Sequence, residues 1–364
     1  MTRTALIIGA GIGGLATAVR LRNDGWHVEV RERSGALPQT GTALGIWPSA
    51  LRALDEIGLG DAIRAAGRPQ TAGGFRRADG SRIADVDADA LRRRTGDPVH
   101  LVSRPTLLHT LAAPLTTAPD DGVIRFGTPV PDAVAADREG AYDVVVAAEG
   151  LHSPTRTRLF GPAHTTRYTG VTCWRGTLDG DTGSLTETLG QGARFGITPH
   201  EGGRTNWFAC VRAPERAVAR GGELAALRAC FGHWHADVRR VLDDLTASPE
   251  PDILRHDLHD LARPLPAYVH GRIALVGDAA HAMTPDLGRG ACEALLDGVT
   301  LARVLTAHRR VPDALAAYDA QRRRPTQRLA RLARLLNRAV HTPGAAPFRN
   351  PVLRLATALT DPPA

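Results

Sequence analysis

"RTALIIGAGIGGLATAVRLRNDGWHVEVRERSG", residues 3–35, decides the fold. Ala5 to Ile8 is a short unbroken apolar run, the pattern of a buried strand. Gly9-Ala10-Gly11-Ile12-Gly13-Gly14 follows at once, matches G-x-G-x-x-G, and runs into helical spacing from Leu15 to Leu21. In that context Gly9 permits a tight turn, Gly11 lets backbone N–H groups approach a pyrophosphate, and Gly14 lets helix and strand pack closely. The phosphates would sit at the positive end of the helix. Val28 to Val30 reads as the second strand, and Glu32 is placed near its end to accept hydrogen bonds from the 2′- and 3′-hydroxyls of an adenosine ribose. A glycine-rich turn alone also serves structure, but strand, turn, helix, strand and acid in this order mark a dinucleotide site. The fingerprint does not distinguish FAD from NAD.

A second stretch, "RIALVGDAAHAMTPDLGRGACEALLDGVTLARVL" at residues 272–305, repeats the device far along the chain. The apolar run Ile273 to Val276 breaks into Gly277-Asp278, and Gly288 and Gly290 precede a helix read from about Ala291 to Leu305. Asp278 could accept hydrogen bonds from a polyol chain. Bare N–H groups at the helix start favour partial negative charge, such as the N1 and C2-carbonyl edge of a reduced isoalloxazine. A helix N-terminus capped by Asp278 or Asp286 is the structural alternative.

Composition narrows the field. At 364 residues, 43% hydrophobic and 23% charged, the chain can bury two packed regions. The apolar opening is interrupted by glycines and lacks a convincing cleavage site. No run approaches the roughly 18 apolar residues of a membrane span, so a soluble protein is expected. The four cysteines, Cys173, Cys210, Cys230 and Cys292, are far apart and form no Cys-x-x-Cys pair. That argues against a zinc site and a disulfide framework and fits a cytoplasmic location. His233 and His235 lack partners at metal spacing, and no metal is expected. The net charge is +7 with a pI near 10, yet every basic residue is arginine and none is lysine. Arginines are dispersed without an aromatic-basic platform, so no nucleic-acid partner is expected. The absence of lysine also removes Schiff-base chemistry, pyridoxal phosphate anchoring and the P-loop.

"GDAAHAMTPDLGRGACEALLDG" resembles the second FAD motif of the single-component flavoprotein aromatic hydroxylases, the para-hydroxybenzoate hydroxylase fold family, and is most similar in kind to its salicylate hydroxylase-like branch. The resemblance covers nearly the whole chain: "GTALGIWPSALRALDEIGLGDAI", "VSRPTLLHTL", "VTCWRG", "TNWFACV" and "AYDAQRRRPTQRLARLARLLNRAV" each resemble a family segment. It implies an α/β fold, with a Rossmann-like FAD-binding domain (1–76, 98–165 and 265–325), an interleaved mixed or antiparallel-sheet substrate domain (77–97 and 166–264) and a C-terminal helical segment (326–364). It places FAD against Gly9, Gly11, Ile12, Gly13, Gly14, Glu32, Arg33, Arg104, Val130, Asp278, Leu287, Gly288, Arg289 and Gly290. Arg175, Phe195, Trp207 and Pro285 are the residues expected on the substrate side. The implied reaction is hydroxylation of an electron-rich aromatic or related small molecule through a flavin C4a-hydroperoxide, with NADPH or NADH as reductant and O₂ as co-substrate. No side chain announces itself as a catalytic base. A flavin halogenase would need an active-site lysine; a reductase or dehydrogenase on the same scaffold and a non-catalytic FAD-binding partner protein are the alternatives.

Three positions depart from the family pattern. Glu149 replaces the usual Asp in Glu149-Gly150-Leu151-His152-Ser153-Pro154-Thr155-Arg156, a motif tied to both FAD and nicotinamide use. Arg289 stands where glutamine is common, and Leu296-Asp297-Gly298 replaces Glu-Asp-Ala. Along the remaining chain the patterns predict helices at Ser49 to Ile57, Pro105 to Leu115 and about Glu223 to Leu245. Strand-like segments are read near 72 to 86 and at Val144 to Ala147, and an antiparallel sheet from Tyr168 to about Val211. Leu329, Leu332, Leu336 and Val340 are expected on one face of a basic C-terminal helix that packs on the protein, not on a membrane.

Overall fold

In the computed structural model, which describes residues 2–116, 122–181, 185–342 and 344, the opening strand Thr4–Ile8 stands inside a six-stranded sheet. The order is Val269–His270, Ile273–Leu275, Val144–Ala147, Thr4–Ile8, His27–Arg31, Ile124–Arg125. All neighbours are parallel except the first pair. Ala5 to Ile8 and Val144 to Ala147 are buried throughout, as the unbroken apolar runs of a parallel sheet require. The two strands that end in the glycine turn and in Gly277-Asp278 flank Val144–Ala147, so segments about 265 residues apart in sequence emerge side by side.

The helices behind the two turns, Ile12–Asn23 and Gly290–Ala307, pack on each other. A Cβ at Gly298 would lie 2.6 Å from the Gly13 carbonyl oxygen, and one at Gly13 would lie 3.1 Å from that of Ala294. Glycine at 298, one of the departures noted above, therefore permits a backbone-to-backbone approach that an added methyl would block.

A seven-stranded sheet runs in the order Leu254–Leu261, Thr166–Leu178, Arg204–Arg212, Ala193–His200, Thr186–Leu189, Gly74–Arg77, Arg82–Asp85. It is antiparallel apart from one parallel pair, Thr186–Leu189 with Gly74–Arg77. Trp174, Phe195, Ile197, Trp207 and Ala209 form an apolar core with Leu227 and Phe231 of one helix and Val238, Val241, Leu242 and Leu245 of the next. The expected single helix from Glu223 to Leu245 is two, Glu223–Phe231 and Ala236–Ala247. Trp234 in the break is buried edge-on against Phe231, with ring centroids 4.8 Å apart. A small third sheet, Ala43–Ile46, His100–Ser103 and Arg68–Pro69, links the two regions: Asn206 Oδ1 accepts from Ala43 N at 3.1 Å, and Glu201 accepts from Ser103 N at 3.1 Å.

The long helix Val311–His341 closes the molecule. Its buried residues in the second half are Thr326, Ala333, Asn337, Val340 and His341, while Leu332 and Leu335 are exposed. The expected leucine stripe is thus rotated. Arg334 turns inward to Asp260 (2.6 Å) and to the Leu261 carbonyl, and Gln327 reaches the Leu265 carbonyl, so polar anchors set the helix face. Of the C-terminal segment expected at 326–364, residues 343 and 345–364 lie outside the described residues. Among the described residues no helix is long and apolar enough to cross a membrane.

Candidate active site

A cleft of about 380 Å³ lies where the ends of the parallel strands meet one face of the seven-stranded sheet. On the parallel-sheet side it is lined by Gly11, Ile12 and Gly13, by Gly277 and Asp278, and by Met283 to Pro285 and Gly288 to Gly290. From the opposite sheet come Cys173, Arg175, Arg194, Asn206, Phe208 and Cys210; Arg104 and Thr42 to Gly45 complete the rim. The two motifs read from sequence, together with Arg175 and Pro285, therefore share one cavity.

The glycines divide by role. Gly9 has φ +106° and a Cβ there would come 2.5 Å from the Ala148 carbonyl oxygen; at Gly14 it would lie 2.1 Å from that of Gly9. Both are required for packing. Gly11, by contrast, would place a Cβ 4.0 Å from the Ala148 carbonyl oxygen, and Gly288 and Gly290 would meet nothing within 4 Å. These three keep backbone open to the cleft. Neither helix start carries a side-chain cap: Gly11 and Arg289 occupy the cap positions without a capping hydrogen bond. Two helix N-termini without a side-chain cap among the described residues thus face one cavity, and helix starts of this kind suit diphosphate oxygens and a ring carbonyl. Asp278 and Asp286 do not cap the second helix, so the capped-helix alternative fails.

Glu32 lies beside the turn, its carboxylate accepting from Ala10 N (2.8 Å) and Ser34 N (2.8 Å). Asp278 is exposed in the cleft, and its turn is pinned from behind by Arg156. That guanidinium is 1% exposed and donates to the carbonyls of Asp278 (3.1 Å), Ala279 (3.2 Å), Leu151 (2.7 Å) and His164 (3.0 Å). Burial lowers its pKa, with Glu149 and Asp278 acting in the opposite sense. Glu149 itself accepts from Thr155 Oγ1 (2.7 Å), Thr155 N (3.3 Å) and Ser153 Oγ. Its carboxylate is thereby tied to the start of the helix Pro154–Phe160, leaving Gly150 at the cleft wall. Arg33 is exposed, and Val130 packs on the core of the parallel-sheet region; neither they nor Leu287 line the cleft.

The opposite wall corrects the sequence reading. Phe195 and Trp207 are fully buried on the far face of the seven-stranded sheet, stacked on each other at 6.0 Å. Alternation along a strand sends neighbouring side chains to opposite faces, so Phe208, Asn206 and Arg194 present the cleft face instead. The parity of Asn206 in "TNWFACV" carried the signal, because the polar residue marks the wet face. Arg194 is buried, 3.1 Å from Glu187 and 3.4 Å from Asp286, with its guanidinium 5.3 Å from the Phe208 ring centre. Burial alone would depress its pKa; the two carboxylates outweigh this and raise it. Arg175 Nε and Thr284 Oγ1 are buried at the cleft wall and have no hydrogen-bond partner among the described residues. An unmet buried donor costs about 1–3 kcal/mol, so both are suited to a polar ligand atom. Arg289, in the cleft wall, pairs with Glu293 (3.0 Å) and Ser49 (3.2 Å), with Trp47 5.4 Å from its guanidinium.

Behind the second turn is a buried ionic network that the sequence did not reveal. His281 Nε2 lies 2.6 Å from Asp297 Oδ2, which also accepts from Gly277 N at 2.9 Å; Arg322 donates to Asp297 Oδ1 (2.7 Å) and Glu293 (2.6 Å). Asp297 thus fixes the backbone entering Asp278 and ties it to the long C-terminal helix.

An FAD binding domain family model matches residues 2–333. The chain is 35% identical over 336 residues to the aurachin C monooxygenase/isomerase of Stigmatella aurantiaca, covering 88% of this chain and 85% of that protein. It is 31% identical over 336 residues to the FAD-dependent urate hydroxylase of Klebsiella pneumoniae, covering 87% and 85%. The crystal structure of Klebsiella pneumoniae HpxO complexed with FAD and uric acid superposes with a TM-score of 0.85 at 29% identity, over 98% of this chain and 92% of that one.

Proposed function

The chain belongs to the FAD binding domain family and is an FAD-dependent monooxygenase of the aromatic hydroxylase type, and from that premise we propose how its cleft is used. FAD, reduced by NAD(P)H, supplies the electron transfer and oxygen activation. The two helix starts, at Gly11 and Gly290, would hold the diphosphate and a ring carbonyl, and Glu32 and Asp278 would accept from ribose and polyol hydroxyls. Gly288 and Gly290, where a Cβ would meet nothing within 4 Å, would leave room for the ring against backbone. The seven-stranded sheet forms the opposite wall of the cleft and would limit the entry of water, which guards against wasted oxygen reduction.

The substrate is a small electron-rich aromatic or heteroaromatic ring bearing an acceptor oxygen. The observation that carries this reading is the unpartnered Arg175 Nε in the wall facing the two helix starts. Arg175 holds the acceptor, and Phe208 and Pro285 flank the ring. The kinship with a urate hydroxylase, solved with FAD and uric acid, and with an aurachin C monooxygenase supports the same class.

Arg175→Met is the test, once a substrate has been found by stimulated NAD(P)H oxidation over phenols and heteroaromatics. The variant should keep wild-type FAD affinity and raise KM at least about tenfold, matching a lost charged hydrogen bond of about 1.5–3 kcal/mol. Weakened FAD with unchanged KM would assign Arg175 to the cofactor and remove the argument for the acceptor.

A further inference from the structure

Cys173 and Cys210 stand directly opposite each other on the antiparallel strands Thr166–Leu178 and Arg204–Arg212. Residues so paired have Cα atoms about 4.5–5.5 Å apart, inside the roughly 4.4–6.8 Å that a disulfide spans. Both side chains leave the sheet on its cleft face, where both line the cavity beside Arg175, Arg194 and Phe208. The register is continuous from Val171↔Arg212 to Leu178↔Thr205, so the strands hold the sulfur atoms in place. Both thiols are free, and each is at most 4% exposed, so a reagent must reach them from the cavity.

We propose that Cys173 and Cys210 form a reversible disulfide in the wall of the cleft, closed by hydrogen peroxide. Peroxide is the product when reduced flavin meets O₂ without transferring oxygen to a substrate, so the oxidant would arise in the cavity that holds the thiols. The two sulfurs are not equivalent. The hydrogen bond from Cys210, with help from Arg175 and Arg194, lowers the Cys173 pKa against the effect of burial, while the same contact and burial raise Cys210. Cys173 is also the more accessible of the two, 4% exposed against 0%, and shares its strand face with Arg175, so it is the thiol that meets peroxide first and attacks as the thiolate. It attacks one peroxide oxygen, the O–O bond breaks, and the departing hydroxide takes a proton to leave as water. Cys173 is then a sulfenic acid. Cys210 attacks that sulfur, the S–O bond breaks, and the Cys210 proton leaves with the hydroxide as a second water. The two thiols lose two electrons, and one peroxide gains them.

The other cysteines lack this setting. Cys292 stands on the helix Gly290–Ala307 and Cys230 on the helix Glu223–Phe231, so neither is held across a strand pair from another cysteine. Treating the FAD-loaded enzyme with one equivalent of hydrogen peroxide should reduce the denatured thiol count from four to two. A non-reducing peptide map should then join the peptides carrying Cys173 and Cys210, and dithiothreitol should restore four thiols. Cys210→Ser should form no internal disulfide and should leave Cys173 as a sulfenic acid trapped by dimedone. Four surviving thiols, a bridge to Cys230 or Cys292, or sulfinic acid at a single cysteine would each overturn the assignment. Thiol counting and mapping do not depend on catalytic turnover, so they stand apart from the identity of the substrate.

Discussion

At Gly14 a Cβ would lie 2.1 Å from the Gly9 carbonyl oxygen, whereas at Gly290 it would meet nothing within 4 Å. The two glycines therefore fail in different ways when replaced. Gly14→Ala must push the first helix off its strand and should give little folded protein. Gly290→Val should fold with the thermal stability of the wild-type apoprotein but emerge colourless, because its side chain enters the place kept for the flavin. Thermal unfolding together with flavin absorbance separates them, and a yellow Gly290→Val would contradict the placement of the ring. Glu149 gives a second contrast. Its carboxylate bonds Thr155 and Ser153 at the start of Pro154–Phe160 and does not line the cleft. Glu149→Asp, shorter by one methylene, should keep FAD and change the anaerobic rate of flavin reduction by less than about threefold, at a cost of about 1 kcal/mol in stability. A hundredfold change in stopped-flow reduction would place the carboxylate in the nicotinamide site instead. The glycine turn was legible residue by residue because each glycine answers to local geometry. Phe195 and Trp207 were assigned to the wrong face because composition identifies an aromatic strand but not its phase, which is set by the helices packed on it.

Between elements, the His281–Asp297 pair joins the Asp278 turn to the helix Gly290–Ala307, and Arg322 extends it to the C-terminal helix. Burial alone would depress His281; the Asp297 ion pair and hydrogen bond outweigh it and raise the pKa, with Arg322 opposing and Asp278 assisting. A raised histidine contributes stability that is complete below its unfolded value of about 6.5 and is lost as pH rises through the folded value. Asp297 is lowered by His281 and Arg322 against burial, so its share is present above about 3.9 and lost only as pH falls through its folded value. Denaturant midpoints should therefore decline on the alkaline side of neutrality, and His281→Gln should flatten that limb. An unchanged alkaline slope in the variant would show that His281 enters the fold neutral. Nothing local announced this network: its members are spread from residue 277 to 322, and only the three-dimensional crossing of two helices brings them together. The helices at Pro48–Glu56 and Arg104–Thr116 were legible, with ends shifted by one residue, because apolar periodicity records burial, but the break at Trp234 that divides the one expected from Glu223 to Leu245 was not. The face of the C-terminal helix was not, since Arg334 gives up solvent for Asp260, a choice that periodicity alone does not express.

Across the whole molecule, two distant turns and one sheet face converge on a single cavity, and the order of elements in the sequence already implied that convergence for the turns. Asp278→Ala should weaken FAD binding about ten- to a hundredfold in a fluorescence titration while leaving the fold intact, since a charged acceptor contributes about 1.5–3 kcal/mol. Unchanged affinity would remove the second turn from the cofactor site. The central claim, that this cavity uses FAD, NAD(P)H and O₂ to place oxygen on an aromatic ring, is tested most directly by isotope. FAD-loaded enzyme is given NADPH or NADH, ¹⁸O₂ and a panel of phenols and heteroaromatics, and the organic products are analysed by mass spectrometry. A substrate that accelerates nicotinamide oxidation should gain one atom of ¹⁸O from the gas and none from water. Nicotinamide oxidation that yields hydrogen peroxide alone across the panel, with no ¹⁸O in any ring, would contradict it.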